Sequence, residues 1–352
     1  MPIRPPLTWT GTAGDDYYAY SLLDNFLGTG LEGNDTIIGN VGNDYLNGGH
    51  GNDYLAGGNG DDFFEGGIGN DYSIGGNGND FFDGGIGNDT LIGGQGDDTY
   101  LVDSIGDIVI EDSFSGSDSV KSSVNYSLDK NIEDLRLSKD AHRGVGNRLD
   151  NAIFCEDTSF PGVDNFLFGA RGNDILEGNL GSDTLIGGRG DDVLYAFDRA
   201  NFVYGYDGNN VLWGGSGNDT LWGNQGNDIL NGGRGNDYLR AFGDFPANFE
   251  EYDTFTGGAG ADIFALLFRD KETGTLLPGG GYATITDFKR YQGDKIEVVG
   301  SNVSEISGYS LDKSLNLSGT SAIDTGIYYL DSLIAVVQDT TNVFLAVDFH
   351  FQ

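Results

Sequence analysis

The sequence predicts an all-β chain wound as a parallel solenoid, and three observations carry that expectation. Two long stretches repeat every nine residues without a slip. Each unit opens on a glycine-rich run ending in aspartate, of the form GGxGxD, which suits a turn because glycine enters positive φ freely and lets backbone carbonyls converge. Each unit then closes on three residues with an apolar one in the middle, the alternation of a very short strand with one inward side. A turn plus a strand is half a coil. Two units, 18 residues, therefore make one full turn, with successive strands stacked in parallel ~4.8 Å apart.

Taken in order, residues 1–29 read as an N-terminal cap with one degenerate copy, GTAGDDYYA at Gly11. The first array, 30–101, holds eight units from GLEGNDTII to GGQGDDTYL, which is four layers or roughly 19 Å of stack. Their sixth positions are Asp35, Asp44, Asp53, Asp62, Asp71, Asp80, Asp89 and Asp98. Glycines thin out over 102–159, where Ile108–Ile110, Val120–Val124 and Leu135–Leu137 alternate as strands; this spacer is expected to continue the solenoid on longer strands buried by packing. The second array, 160–265, carries sixth-position Asp174, Asp183, Asp192, Asp219, Asp228 and Asp237, one degenerate nine (196–204), an aromatic, acidic insertion and a stray unit, GGAGADIFA. Asn210 stands where aspartate is expected. Residues 266–352 are strand-rich and glycine-poor and read as a β-rich C-terminal cap, which a solenoid needs to cover its last open edge.

Composition points to a cation. Glycine occurs 60 times, and 55 acidic residues against 18 Lys plus Arg give a net charge of −37. So much glycine costs chain entropy and so much charge opposes compaction; the charge also excludes nucleic acid and anionic membrane as partners. Stacking puts the aspartates at i and i+18 above one another, and carboxylates ~5 Å apart repel unless a cation lies between them. Hard oxygen donors at variable geometry favour Ca²⁺, and three histidines and one cysteine are too few for a zinc or iron site. Binding and folding are then one free energy.

These nonapeptides resemble the RTX (repeats-in-toxin, haemolysin-type) family, whose consensus is GGxGxDxUx. The resemblance implies a right-handed parallel β-roll, or β-helix solenoid, with ions between turns 18 residues apart. Carbonyls of positions two and four plus the Asp of one turn would join those of positions one and three plus the Asp of the next. One ion would use Asn40, Gly42 and Asp44 with Gly57, Asn59 and Asp62. Another would use Gly58, Gly60 and Asp62 with Gly75, Asn77 and Asp80. By the same rule Gly51, Gly67, Gly69, Gly76 and Gly78 supply carbonyls at neighbouring turns. In the second array Asp174 pairs with Asp192 and Asp219 with Asp237, while the two sites that Asn210 would join should be weaker. The spacer resembles those between arrays of large bacterial surface RTX proteins. The C-terminal stretch resembles the closing region that also carries an uncleaved type I export signal. That implies an extracellular or cell-surface protein, consistent with an N-terminus, Met1 to Pro6, that lacks the apolar core of a secretory signal.

No catalytic constellation stands out. His50, His142 and His350 read as surface residues, Cys155 as an inert, partly buried thiol, and the GxGxxG at Gly28–Gly33 leads into a repeat, so it is chance. Fewer than thirty residues precede the arrays, too few for a catalytic domain, and no stretch reaches the ~20 apolar residues of a membrane span. Two readings stay open. One is a structural or adhesive exoprotein, partnered by calcium and a surface-layer protein. The other is a carbohydrate-binding or carbohydrate-active protein using aromatic rows: Tyr45, Phe63 and Phe81, Tyr54 and Tyr72, Tyr195 over Trp213, and Tyr204 over Trp222. Such rows suit sugar rings or a partner, and equally steady a sheet.

Overall fold

Every repeat builds one strand, and each of these strands finds its neighbour two units further along the chain. The computed structural model describes residues 7–20, 24–138, 140–156, 163–242, 251–266, 281–298, 309–316, 323–329, 332–338, 340, 343 and 349–351. The chain is all-β with a single 3-10 turn, Arg290–Gln292, among the described residues. It forms two compact units, Met1–Asp157 and Thr158–Gln352.

In the first unit, the strands Phe26–Glu32, Tyr45–His50, Phe63–Ile68, Phe81–Ile86 and Thr99–Val102 stack in parallel on one side. The alternating strands Thr36–Val41, Tyr54–Asn59, Tyr72–Asn77, Thr90–Gln95 and Ile108–Ile110 stack on the other. The pairing is i to i+18: Tyr45 faces Phe63, and Phe63 faces Phe81. Trp9, Tyr18, Phe26 and Tyr20 stack ring on ring at the N-terminal layers, with centroids 5.0–5.2 Å apart. In the second unit, Ile175–Asn179, Val193–Phe197, Val211–Ser216, Ile229–Arg234, Thr254–Ala259 and Ala283–Ile285 make one parallel stack. Phe166–Arg171, Thr184–Arg189, Phe202–Asp207, Thr220–Gln225, Tyr238–Phe242, Ile263–Leu266, Lys295–Val298 and Phe349–Phe351 make another. The pairing turns antiparallel only beyond Ser332–Val337, with Asp324–Tyr329 and Tyr309–Leu315.

Strand and turn divide differently from the sequence expectation. A strand runs six residues, over positions seven to nine and on through one to three of the next unit, so only positions four to six turn. The two leading glycines are extended into the ladder, Gly49 pairing with Gly67. Position one faces inward: a Cβ on Gly57 would lie 2.0 Å from Asp62 Oδ2, so glycine there makes room for its own unit's carboxylate. Position two is held at positive φ in most units where it is not glycine, as at Leu31 (90°), Asn40 (92°), Ala170 (84°) and Tyr206 (80°). The spacer strands are shorter than expected, two to four residues, because without the glycine pair the ladder closes sooner. Residues 243–250 of the aromatic insertion and 267–280 and 299–308 of the C-terminal region lie outside the described residues. The insertion leaves the register intact: Ile229 pairs with Thr254, 25 residues on instead of 18.

Position eight is the core. Ile37, Leu46, Leu55, Phe64, Phe82, Leu91 and Tyr100 are fully buried in the first array, as are Leu176, Leu194, Leu212 and Leu230 in the second. Phe64, Phe82 and Tyr100 stack at 4.6 and 5.0 Å. Ser73 is the exception, sandwiched between Leu55 and Leu91 with its Oγ buried and without a hydrogen-bond partner. An orphaned hydroxyl of this kind destabilises by about 1 kcal/mol. Ser73→Ala is therefore expected to raise the melting temperature by calorimetry, whereas most core truncations lower it.

Candidate metal centre

The sixth-position aspartates of the first array form two buried columns. Their side chains lie on the inward side, at most 2% exposed. In each, one carboxylate oxygen accepts the backbone N–H of the aspartate one layer back. One column runs Asp16, Asp35, Asp53, Asp71, Asp89, Asp107, and the other Asp44, Asp62, Asp80, Asp98, Asp118, with N···O of 2.7–3.0 Å throughout. The second oxygen, Oδ2, is buried and accepts no hydrogen bond in Asp35, Asp44, Asp53, Asp62, Asp71, Asp80, Asp89 and Asp98. The same holds for Asp219, Asp228, Asp237, Asp253 and Asp262 in the second unit. A carboxylate has acceptor sites to spare and nothing to donate, so a row of such oxygens fits a hard cation and little else.

The position-one carbonyl of the next layer comes to the same place: a Cβ on Gly39 would lie 2.1 Å from Asp44 Oδ2 and 2.9 Å from Gly57 O, and one on Gly48 2.2 Å from Asp53 Oδ2 and 2.7 Å from Gly66 O. Glycine also keeps the backbone of successive turns close. Gly58 and Gly60 hold φ of 112° and 130°, and a Cβ on either would sit 2.2 Å from the carbonyl oxygen of Asn40 or Gly42 in the layer before. Gly67, Gly69, Gly76 and Gly78 approach the carbonyls of Gly49, Gly51, Gly58 and Gly60 as closely, and Gly51 that of Gly33. Position five, which the sequence reading passed over, makes a second ladder: Asn34 and Asn52 accept the N–H of Asn52 and Asn70 at 2.7 Å.

Burial pushes these carboxyls above the ordinary range. Desolvation is the leading cause throughout, offset in part by the backbone N–H bond. It raises Asp44, Asp53 and Asp80 to about 6, Asp89 and Asp237 to about 7, and Asp62, Asp98 and Asp228 to about 8.

Three positions in the second unit solve the same problem with an amide. Asn210 stands between Asp192 and Asp228, and its Nδ2 reaches Gly208 O at 3.0 Å and Asp228 Oδ1 at 3.1 Å. Asn201, in the degenerate nine, reaches Asp198 O, Arg199 O and Asp219 Oδ1 at 2.9–3.1 Å. Asn165 reaches Val163 O at 3.3 Å and Asp183 Oδ1 at 3.0 Å. Asp183 lies between two of them, and its Oδ2 accepts the N–H of Asn179 at 2.9 Å, so it offers no bare oxygen. The columns also take in residues the sequence reading did not place there: Asp107, Asp118, Asp253, Asp262 and Asp294. Asp262 keeps its glycines in the stray unit GGAGADIFA; what the other four share is the tail of the motif, an aspartate two residues before an inward apolar one (Val109, Val120, Phe255, Ile296), without the full glycine run.

The aromatic rows are real but unequal. Tyr45, Phe63 and Phe81 stack at 5.3 and 4.8 Å, and Tyr54 on Tyr72 at 5.6 Å. Tyr195 and Trp213 stack at 6.2 Å, with Trp213 40% exposed. Tyr204 and Trp222 meet edge to face at 77°, with the Arg240 guanidinium 5.2 Å from the Trp222 ring, so they present no flat platform. Cys155 is half-buried and makes no disulfide.

Compared with known proteins, a family model described as the RTX calcium-binding nonapeptide repeat matches residues 29–64, 65–100, 162–196, 204–239 and 251–266. A search of the curated proteins finds no match.

Two outcomes follow from this geometry. Asn210→Asp replaces an amide donor with a bare carboxylate: equilibrium dialysis should find at least one more Ca²⁺ per chain, and the variant should be less stable than wild type in chelator. In chelator, the raised carboxyls bind protons more tightly folded than unfolded. Their contribution to stability is present below pH ~4 and lost as pH rises through 6 to 8. Circular dichroism of the chelated protein should therefore show β-structure gained on acidification from pH 8 towards 5.

Proposed function

Because the chain belongs to the RTX calcium-binding nonapeptide-repeat family, we propose that it is an extracellular structural or adhesive protein whose solenoid closes as Ca²⁺ enters the turns. The observation that carries this reading is the row of buried aspartate Oδ2 atoms without hydrogen-bond partners. Each would meet an ion held also by the Asp one layer on and by backbone carbonyls of the two turns, such as those of Gly57, Gly58 and Gly60. Asp44 with Asp62, Asp62 with Asp80, Asp53 with Asp71, and Asp219 with Asp237 are the pairs that would bind best. Turn pairs in which Asn165, Asn201 or Asn210 stands in place of an aspartate would bind weakly or not at all.

Extracellular calcium modules bind with Kd near ~10⁻⁴–10⁻³ M. A chain of net charge −37 then stays open at cytosolic calcium, fit for export, and folds outside. Among the described residues no helix is long and apolar enough to cross a membrane. A scaffold role asks nothing of the aromatic rows beyond stiffening the sheets, and the edge-on Tyr204 and Trp222 favour it over sugar binding. Limited proteolysis tests the reading. At submicromolar free calcium the arrays should be cut within minutes, and at millimolar calcium they should persist. Equal resistance at both concentrations would remove the basis for a calcium-gated exoprotein.

A further inference from the structure

Where the first array ends, the nine-residue rule breaks in a way that adds a carboxylate. Glu111 falls eighteen residues after Gly93, where the unit one layer on would have placed its first glycine. Asp118 follows Asp98 by twenty residues, yet still accepts the Asp98 N–H at 2.9 Å. Asp98, Glu111 and Asp118 are 1%, 7% and 0% exposed. One carboxylate oxygen of each lies within 4.8 Å of the others.

The groups around them do not discharge this cluster. Asp98 Oδ2 is buried and accepts no hydrogen bond. It points at the space beside Gly93, where a Cβ would be 2.2 Å from it and 2.2 Å from Glu111 Oε1. The Tyr100 hydroxyl donates to Glu111 Oε1 and holds that arm in place. Ser115 Oγ lies 3.2 Å from Glu111 Oε2 and 3.3 Å from Asp118 Oδ2, but its one proton has a better acceptor in Asp112 O at 2.7 Å. The Gly94 N–H reaches Glu111 Oε2 only at 3.5 Å. Among the described residues no lysine or arginine pairs with any of the three.

We propose that Asp98, Glu111 and Asp118 form a tricarboxylate cation site that closes the first array, filling with Ca²⁺ ahead of the two-carboxylate turns and holding a trivalent lanthanide more tightly still. The inference rests on the calcium reading of the turns and departs from the repeat rule, because a side chain supplies what a glycine carbonyl supplies elsewhere. Ligand charge count sets affinity in oxygen sites of this kind. One further unit charge a few ångströms from the ion strengthens binding by at least about tenfold, even with strong dielectric screening. Three buried protein carboxylates also disfavour Mg²⁺, which dehydrates reluctantly.

The test uses the full chain. Crystals grown in calcium and exchanged with about one equivalent of Tb³⁺ should show their strongest anomalous peak between these three carboxylates. Peaks at repeat turns with none here would overturn the tricarboxylate site and leave the calcium reading standing, whereas no peak at any turn would overturn both. In parallel, Glu111→Gln, which keeps the Tyr100 and Ser115 contacts, should weaken the first calcium bound at least tenfold in chelator-buffered dialysis. Glu65→Gln, at a glutamate that bridges Asn47 and Tyr45 on the outer face, should leave it unchanged. An unaltered first-ion affinity in Glu111→Gln would contradict the assignment, and if that variant does not fold the terbium map decides.

Discussion

A buried carboxylate oxygen with no proton to accept is the constraint from which the rest of the structure follows. Desolvating an ionised carboxylate costs several kcal/mol even after relaxation, while a whole domain is stable by only ~5–15 kcal/mol. The first array alone buries eight such oxygens, from Asp35 to Asp98. Even four of them, ionised and unmatched, would exceed the stability of an ordinary domain. The fold therefore stands only if something positive lies in the turns, either a metal ion or bound protons.

The glycines make sense in the same terms. Position one is glycine because the carboxylate occupies the volume a Cβ would need, as at Gly57 beside Asp62. Positions two and four are glycine because the backbone turns to positive φ there and presses against the carbonyl one layer back, as at Gly58 and Gly60. Where aspartate gives way to asparagine, at Asn165, Asn201 and Asn210, a neutral amide donates to neighbouring carbonyls and carboxylates and no ion is required. The two arrays thus differ in kind: every sixth-position aspartate of the first leaves an oxygen without a hydrogen-bond partner, while the early layers of the second carry their own donors. Calcium removal should be felt unequally along the chain for this reason.

Much of this was legible in the residues. An unbroken period of nine with a fixed aspartate and a fixed apolar position left little freedom in strand order, register or core, and the stacking of Tyr45, Phe63 and Phe81 follows from that register alone. The strand length was not legible, because two adjacent glycines read as a turn when nothing shows that their inward side is filled by a carboxylate. Nor were Asp107, Asp118 and Asp294, whose aspartate and inward apolar residue survive after the glycines that announce a repeat are lost. Glu111 could not be found by period at all. It replaces a glycine with a long acidic side chain, and only the fold shows that this chain turns inward to meet Asp98 and Asp118.

The most direct test of the central claim is far-ultraviolet circular dichroism of the chelated protein at pH 8 during titration with calcium, with magnesium as control. At that pH most of the buried carboxyls are ionised, so protons cannot take the place of the metal. A cooperative gain of β-structure produced by calcium and not by magnesium is the result expected from partnerless carboxylates. A chain already fully β-structured in chelator at pH 8, and unchanged by calcium, would mean that packing and hydrogen bonds alone support the solenoid, and would contradict the account.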